Sequence, residues 1–571
     1  MFSFFKGNIK EAILAPFFKL LEALMDLFVP LVVAYIINEG LRNNDVSVIY
    51  KATGLLMLLA ILGMLFSFTA QYFAANASVS YAGKLRQALF EHIQTLSYKE
   101  LDRLGTDTLI TRLSSDVNQV QNGLNLALRL LLRSPFIVFG AMVMAFTIDM
   151  RSALVFLITI PILALVVYFI MLKSIPLYTK AQESLDALSK HTRENLDGVR
   201  VIRAFNHEKE ELNTFNQRSE AITKINETVG SLSAYMNPLT YAIVNIATII
   251  LIRNGAIYVD GGSLSQGNVV ALYNYMAQII VELIKLASLT ITINRSLACA
   301  RRINDVFEIE TSIKYREDSI NKKDNRYKVE FDDVSFAYGN ESEDAISDIS
   351  FKVKDKETIG IIGGTGSGKS TIINLIPRFY DVNKGVVKVD GLDVRDYPKG
   401  ELIRKIGIVP QKAVLFSGTI RENLKWGNQD ASDEELYEAL KTAQAMEVVE
   451  GKANGLDESV EQSGRNFSGG QRQRLTIARA LVKKPEILIL DDSASALDFM
   501  TDYKLRKAIS KLNMTIFIVS QRSSSVMNCD RIIVMDDGKL VGFADHKTLL
   551  KENSVYQEIY YSQFPEEVQD E

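Results

Sequence analysis

The run Gly363-Gly364-Thr365-Gly366-Ser367-Gly368-Lys369-Ser370 places four glycines ahead of a lysine and a hydroxyl. Glycines let successive backbone N–H groups turn towards one anionic group at a helix N-terminus. Lys369 supplies a cation for the β- and γ-phosphates of a nucleoside triphosphate, and Ser370 a hydroxyl oxygen for Mg²⁺. Downstream, the apolar stretch Ile487–Leu490 ends in Asp491, where a carboxylate can hold the magnesium shell. A third cluster, Phe467-Ser468-Gly469-Gly470-Gln471, offers a hydroxyl and glycine N–H groups opening another helix, a second place for phosphate charge.

These groups need a scaffold. Lys356–Ile362 is expected as a buried strand and Thr371–Ile376 as the start of a helix, so the glycine loop connects strand to helix in a doubly wound α/β domain. The chain has 571 residues, enough for several domains, and the apolar residues that make up 47% of it crowd into the first half. Apolar stretches long enough to cross a bilayer are expected at Ala12–Ile37, Ala52–Tyr72, Ser134–Ile148, Ala153–Leu172, Leu232–Arg253 and Val269–Leu289. The third is short unless Leu124–Leu132 forms the lower part of the same helix, with Arg129 and Arg133 near the inner surface.

Lys and Arg concentrate in Tyr81–Arg133 and Lys173–Lys224, which puts those segments and both termini on the cytoplasmic side. Both segments keep helical apolar spacing, as at Leu185, Leu188, Leu196, Val199 and Ile202, and are expected to be helices running on below the membrane. The expected organisation is a six-helix, all-α transmembrane domain over residues 1–308, a charged linker over 309–326 and an α/β P-loop NTPase domain over 327–571. Met1–Lys10 leads towards a full span with no small-residue cleavage site, so no cleaved leader is expected. A net charge of −4 argues against a nucleic-acid partner. Cys299 and Cys529 lie far apart and read as reduced thiols.

Phe467-Ser-Gly-Gly-Gln471-Arg-Gln-Arg, an apolar helix, the strand ending in Asp491 and then Ser495-Ala-Leu-Asp498 together resemble the ATP-binding cassette (ABC) family. The upstream spans, with Glu194–Phe205 and Leu264–Gly267, resemble its exporter type with six helices per half. That resemblance implies that ATP and Mg²⁺ are bound, with Tyr338 stacking on adenine and Thr371 in the cradle. It also implies that Gln411 senses Mg²⁺ and the γ-phosphate while touching the membrane domain, and that Ser468, Gly469, Gly470 and Gln471 cap the nucleotide held by a second cassette.

Two positions depart from the family pattern. Asp492 stands where the pattern has a glutamate that activates water, and Gln521 where it has a histidine. A carboxylate one methylene too short is badly placed for its water, and an amide cannot take up a proton. The expected function is therefore one half of a heterodimeric exporter in a bacterial plasma membrane, moving amphipathic drugs or lipids. Its own ATP site binds but turns over poorly, and its partner carries the consensus Glu and His. A homodimeric exporter and an ATP-gated or sensory membrane protein are the alternatives. In the spans, Glu22, Asp26 and Glu282 either face the substrate path, favouring cations there, or pair with Lys19 and Lys285 and serve packing.

Overall fold

A computed structural model of the chain describes residues 2–316, 326–339, 343–493 and 495–564, so residues 317–325 of the expected linker lie outside the described residues. Two compact units emerge, one made of Met1–Gln94 and Gly105–Ile309, the other of Thr95–Leu104 and Glu310–Glu571.

Among its described residues the first unit carries six helices long and apolar enough to cross a membrane: Ile9–Leu41, Val46–Ile93, Thr106–Ile148, Met150–Asp197, Glu208–Asp260 and Gln266–Phe307. Two of their starts are capped by aspartates. Asp45 accepts from the N–H groups of Ser47 and Val48 at the head of the second span, and Asp149 from Ser152 at the head of the fourth. At 48 residues each, these two helices run to about 72 Å, more than twice the roughly 30 Å of bilayer hydrocarbon. Their lower halves are the extensions expected from apolar spacing. The third span is continuous from Thr106, with wide π-type turns at Arg112–Asp116 and Ala127–Leu131. The core of this unit gathers Leu27, Phe156, Leu163, Leu251, Tyr275 and Met276.

The second unit contains twelve strands among its described residues. An antiparallel sheet has the order β2 (Ile346–Val353), β1 (Val329–Phe336), β4 (Lys384–Val389) and β5 (Leu392–Asp393). The larger sheet runs β12 (Lys539–Ala544), β11 (Arg531–Asp536), β3 (Thr358–Gly363), β10 (Thr515–Val519), β9 (Ile487–Asp491) and β6 (Ile406–Val409). It is parallel from β11 to β6, with β12 antiparallel at its edge. A small ribbon pairs β7 (Gly418–Thr419) with β8 (Ser459–Val460). Strand β9 is buried along its apolar length, as expected for an interior parallel strand.

Two local features position the site. The helix after β3 begins at Lys369, two residues before the expected Thr371, because Gly368 caps it at φ +90, a conformation that side chains resist. The segment Thr95–Leu104 belongs to this second unit although its sequence neighbours are membrane helices: the Tyr98 ring lies 4.4 Å from that of Phe379, and the Tyr380 hydroxyl donates to Asp102 at 2.6 Å.

Candidate nucleotide site and intramembrane charge cluster

The carboxyl ends of β3, β9 and β10 converge, and chemistry in open parallel sheets collects at such ends. Register sets Asp491 beside Val519, so Asp491, Asp492, Ser520 and Gln521 leave the sheet together. They meet the loop after β3 in a cavity of about 150 Å³, lined also by Thr365, Gly366, Lys369, Ser370 and Gln411. A second cavity of about 280 Å³ also borders the loop. It shares Gly366, Lys369 and Ser370 with the first and adds Tyr338, Ser367, Gly368 and Thr371.

The loop tolerates few side chains. A Cβ at Gly363 would stand 2.2 Å from the Met535 carbonyl, and one at Gly368 2.6 Å from Ile346, whereas Gly364 and Gly366 border open space. Lys369 Nζ donates to the carbonyls of Gly363 at 3.0 Å and Gly364 at 2.6 Å. Ser367 Oγ is buried without a partner among the described residues. The Tyr338 hydroxyl shares a hydrogen bond with Thr371 Oγ1 at 3.2 Å, and the residue is exposed, with surface available for stacking. A cation, an orphaned hydroxyl, open glycines and an aromatic at one end fit a nucleoside triphosphate. Ser370 Oγ donates to Asp491 Oδ1 at 3.3 Å, which with the Gln411 amide gives the oxygen-rich set that Mg²⁺ takes.

Burial lowers the pKa of the Lys369 ammonium, opposed by the charges of Asp492 and Asp491. Burial raises that of Asp491, with the Asp492 charge adding to it and Ser370 and Lys369 opposing. Asp492 is also raised by burial, against Gln411, Arg522 and Lys369. Two carboxylates that resist ionisation side by side form a place where a divalent cation is favourable.

Asp492 is held firmly. Its N–H donates to the Val519 carbonyl at 3.0 Å, its own carbonyl accepts from the N–H and hydroxyl of Ser495, and Gln411 Nε2 donates to its carboxylate at 3.4 Å. Its φ is +43, a region where aspartate is among the few non-glycine residues found with any frequency. Neither this backbone nor the Gln411 contact is visible in the sequence. The other departing residue, Gln521, lines the cavity, and its carbonyl accepts from Gln563 Nε2 at 2.8 Å while Gln563 Oε1 accepts from Ser523 N–H at 2.7 Å. One amide of the C-terminal helix Ser554–Gln563 thus pins the backbone on both sides of Arg522, a role no motif announces.

Ser468, Gly469, Gly470 and Gln471 line neither cavity. Ser468 caps the helix Gly469–Val482 in a reciprocal pair with Gln471, its Oγ accepting at 3.2 Å and its N–H donating at 2.9 Å. Ser468 and Gly469 are exposed, and nothing lies within 4 Å of a Cβ at Gly469. This helix N-terminus is exposed at Ser468 and Gly469.

In the membrane unit, Glu22, Asp26 and Glu282 come together around Arg133. Its guanidinium donates to Glu282 at 2.7 Å and to Asp26 at 3.0 Å, with Glu22 at 3.8 Å. Lys19 pairs with Glu22, and Lys285 and Ser134 reach Glu282 at 2.9 and 2.8 Å. Arg133 thus stands beside Asp26, near the middle of the helix Ile9–Leu41, with three carboxylates around it. Asp26 borders two cavities, of about 460 and 370 Å³. Phe18 packs on Phe66 and Phe73, ordinary contact between the first two spans.

Residues 12–283 match the family model described as ABC transporter transmembrane region, and residues 346–495 that described as ABC transporter. The chain is 35% identical over 565 residues to an uncharacterized ABC transporter ATP-binding protein, YfiB, of Bacillus subtilis (strain 168), covering 99% of this chain and 98% of the relative. It is 31% identical to the putative multidrug export ATP-binding/permease protein YgaD of the same organism, over 94% of this chain and 93% of that one. An ATP-dependent lipid A-core flippase of Desulfotalea psychrophila (strain LSv54 / DSM 12343) is 33% identical over 84% of each chain. A bacterial Atm1-family ABC exporter solved with ATP bound shares the fold, with TM-score 0.80, 23% identity and 98% of each chain covered.

Proposed function

This chain belongs to the ABC transporter family, with a six-helix membrane region, an ATP-binding ABC domain and the exporter fold, and on that premise we propose that it is the hydrolytically weak half of a heterodimeric exporter. The observation that carries the proposal is the contrast between its two phosphate-directed ends. The cavity under the glycine loop holds both departing residues, Asp492 and Gln521, while the helix N-terminus at Ser468 is intact and borders neither cavity.

ATP with Mg²⁺ supplies the phosphoanhydride whose cleavage drives transport. On this chain, Lys369 and the open N–H groups at Gly364 and Gly366 hold phosphate charge, Tyr338 holds the base, and Ser370, Asp491 and Gln411 hold the metal. Three hydrogen bonds hold the Asp492 backbone in a left-handed conformation, so its Cβ is fixed and a side chain one methylene shorter than glutamate falls short of the water a glutamate would meet. Ser468, Gly469, Gly470 and Gln471 then complete the partner's site, where hydrolysis runs. The membrane unit, with both termini cytoplasmic in a bacterial plasma membrane, moves amphipathic drugs or lipids past the cavities beside Asp26. Surrounding lipid is its second partner.

The test is what co-purifies with the tagged chain from its own membranes. A second six-span cassette chain with Glu and His at the two altered positions is the expected result. Recovery of this chain alone with full turnover would establish the homodimer instead, and nucleotide binding without turnover or a second chain would favour a sensory protein.

A further inference from the structure

A cavity of about 510 Å³ in the ATP-binding unit shares no lining residue with the nucleotide site. It lies between the helices Phe499–Ile509 and Ser523–Val526, over the sheet face of β9 and β10, and reaches the ends of β3 and β11 opposite the phosphate loop, at Thr358 and Asp530. It follows a seam in the core: Leu490, Ile509 and Ile516 belong to one apolar cluster and Cys529 to another, with Ile518 packed against both.

The lining has two characters. Its floor is aliphatic, from Leu490, Ile509, Ile516 and Ile518, while its wall carries Lys356, Arg506 and Lys507 against the single acid Asp530. That acid is engaged, accepting from the Thr358 N–H at 2.8 Å. Ser525 is only 2% exposed and lines the cavity, yet its Oγ has no hydrogen-bond partner among the described residues; Arg506 Nε is likewise buried and unpartnered. Buried polar atoms are rarely left so, and both can donate. Arg506 is already paired with Asp502, so among the described residues the free cations of the wall are Lys356 and Lys507 against Asp530; with the volume, the apolar floor and the two unpartnered donors they describe a small-molecule pocket for an acceptor.

We propose that this cavity is a regulatory site for a small organic carboxylate, its carboxylate held by Arg506, Lys507 and the Ser525 hydroxyl and its ring or short chain lying on the aliphatic floor. Occupancy is felt at the nucleotide because of what Arg506 already joins. Its guanidinium pairs with Asp502 at 2.8 Å and donates to the Ser524 carbonyl at 2.6 Å, linking the helix that Asp498 caps to the short helix that begins two residues after Gln521. A ligand filling the seam fixes the spacing of these helices and slows any turnover that needs them to shift. The inference does not depend on whether the chain's own ATP site is hydrolytically weak.

The experiment is fluorine NMR of para-fluorobenzoate with the full chain in its purified complex in lipid nanodiscs, with neutral para-fluorobenzamide and inorganic phosphate as comparisons. Saturable broadening of the carboxylate is expected, at least tenfold tighter than for the amide or phosphate, with ATP turnover falling over the same concentrations. Lys507→Gln and Ser525→Ala should each weaken binding about tenfold, the scale of one hydrogen bond to a charged group, while affinity for a non-hydrolysable ATP analogue stays unchanged and shows the fold intact. No saturable binding, equal binding of the amide, displacement by ATP, or indifference to both substitutions would overturn the site. Binding with unaltered turnover would overturn its regulatory role.

Discussion

If this chain's signature helix serves the partner's nucleotide, turnover of the complex should depend on Ser468 and hardly on Asp492. An aspartate carboxylate falls short of a glutamate's by one C–C bond, about 1.5 Å, and a 1 Å misplacement already costs roughly 100-fold. A general base contributes about 10²–10⁴-fold when well placed, so little is left for Asp492→Asn to remove, and with the partner site carrying the flux the complex should slow less than about twofold. Ser468 is different. Taking away one preorganised donor to developing phosphate charge costs on the order of 10²-fold or more. Ser468→Ala also removes a helix cap worth about 1 kcal/mol, whereas Ser468→Gly keeps the cap within a few tenths. Comparing the two separates a lost hydroxyl from a loosened helix: both should cut steady-state ATPase of the purified complex by about 100-fold. A complex silenced by Asp492→Asn but active with Ser468→Ala would refute this assignment and leave a self-sufficient cassette.

Lys369→Ala should weaken nucleotide binding to this chain by about 100-fold, as charge-assisted contacts to phosphate are lost, while transport slows without stopping; photo-crosslinking of labelled ATP to each chain separates the two. Burial raises the pKa of Asp491 above its unfolded value of about 3.9, so its contribution to stability is full below that pH and is lost as pH rises through the raised value. Asp491→Asn should thus raise the Tm of the nucleotide-free protein at pH 7 but not near pH 4, and weaken Mg²⁺-dependent binding; an unchanged difference across pH would count against it. Arg133→Met strips Glu282 of one partner in a buried cluster, where such breaks cost about 3–5 kcal/mol; Lys285 and Ser134 remain, so the low end is expected, and adding Glu282→Gln should restore much of the thermal stability. Tyr380→Phe removes the hydroxyl that reaches Asp102, and should leave ATP affinity intact while lowering the stimulation of ATPase by transported compounds, measured as the ratio of stimulated to basal rate.

The six spans were legible because apolar runs of about twenty residues match the thickness of a bilayer and outlast what a water-soluble core buries in one element. The strand, glycine loop and helix at Thr358–Leu375 were legible because glycines break the pattern between an apolar run and a helical one. Contacts between distant segments were not. Arg133 reads as an inner-surface residue by position, and only the packing of the first, third and sixth spans brings it to Asp26 and Glu282. Thr95–Leu104 carries ordinary helical composition, and nothing local says that Tyr98 will lie on Phe379. Gln563, far from every motif, acts through two backbone groups, which leave no mark on residue type at their own positions.

The charge cluster also changes what the membrane carboxylates can do. Taken alone, Glu22, Asp26 and Glu282 would favour cations, since each is an anion at depth. Around Arg133, with Lys19 and Lys285, the three acids meet three bases, and the group is neutral as a whole. A cation arriving at Asp26 must compete with a guanidinium already 3.0 Å away, so it exchanges one ion pair for another and gains little. An anion meets the mirror situation at Arg133. If the cavities beside Asp26 carry substrate as proposed, the neutral cluster offers a local dipole beside apolar walls such as Val29, Pro30 and Ile137, a combination that suits molecules with a polar end and a greasy body more than either sign of charge.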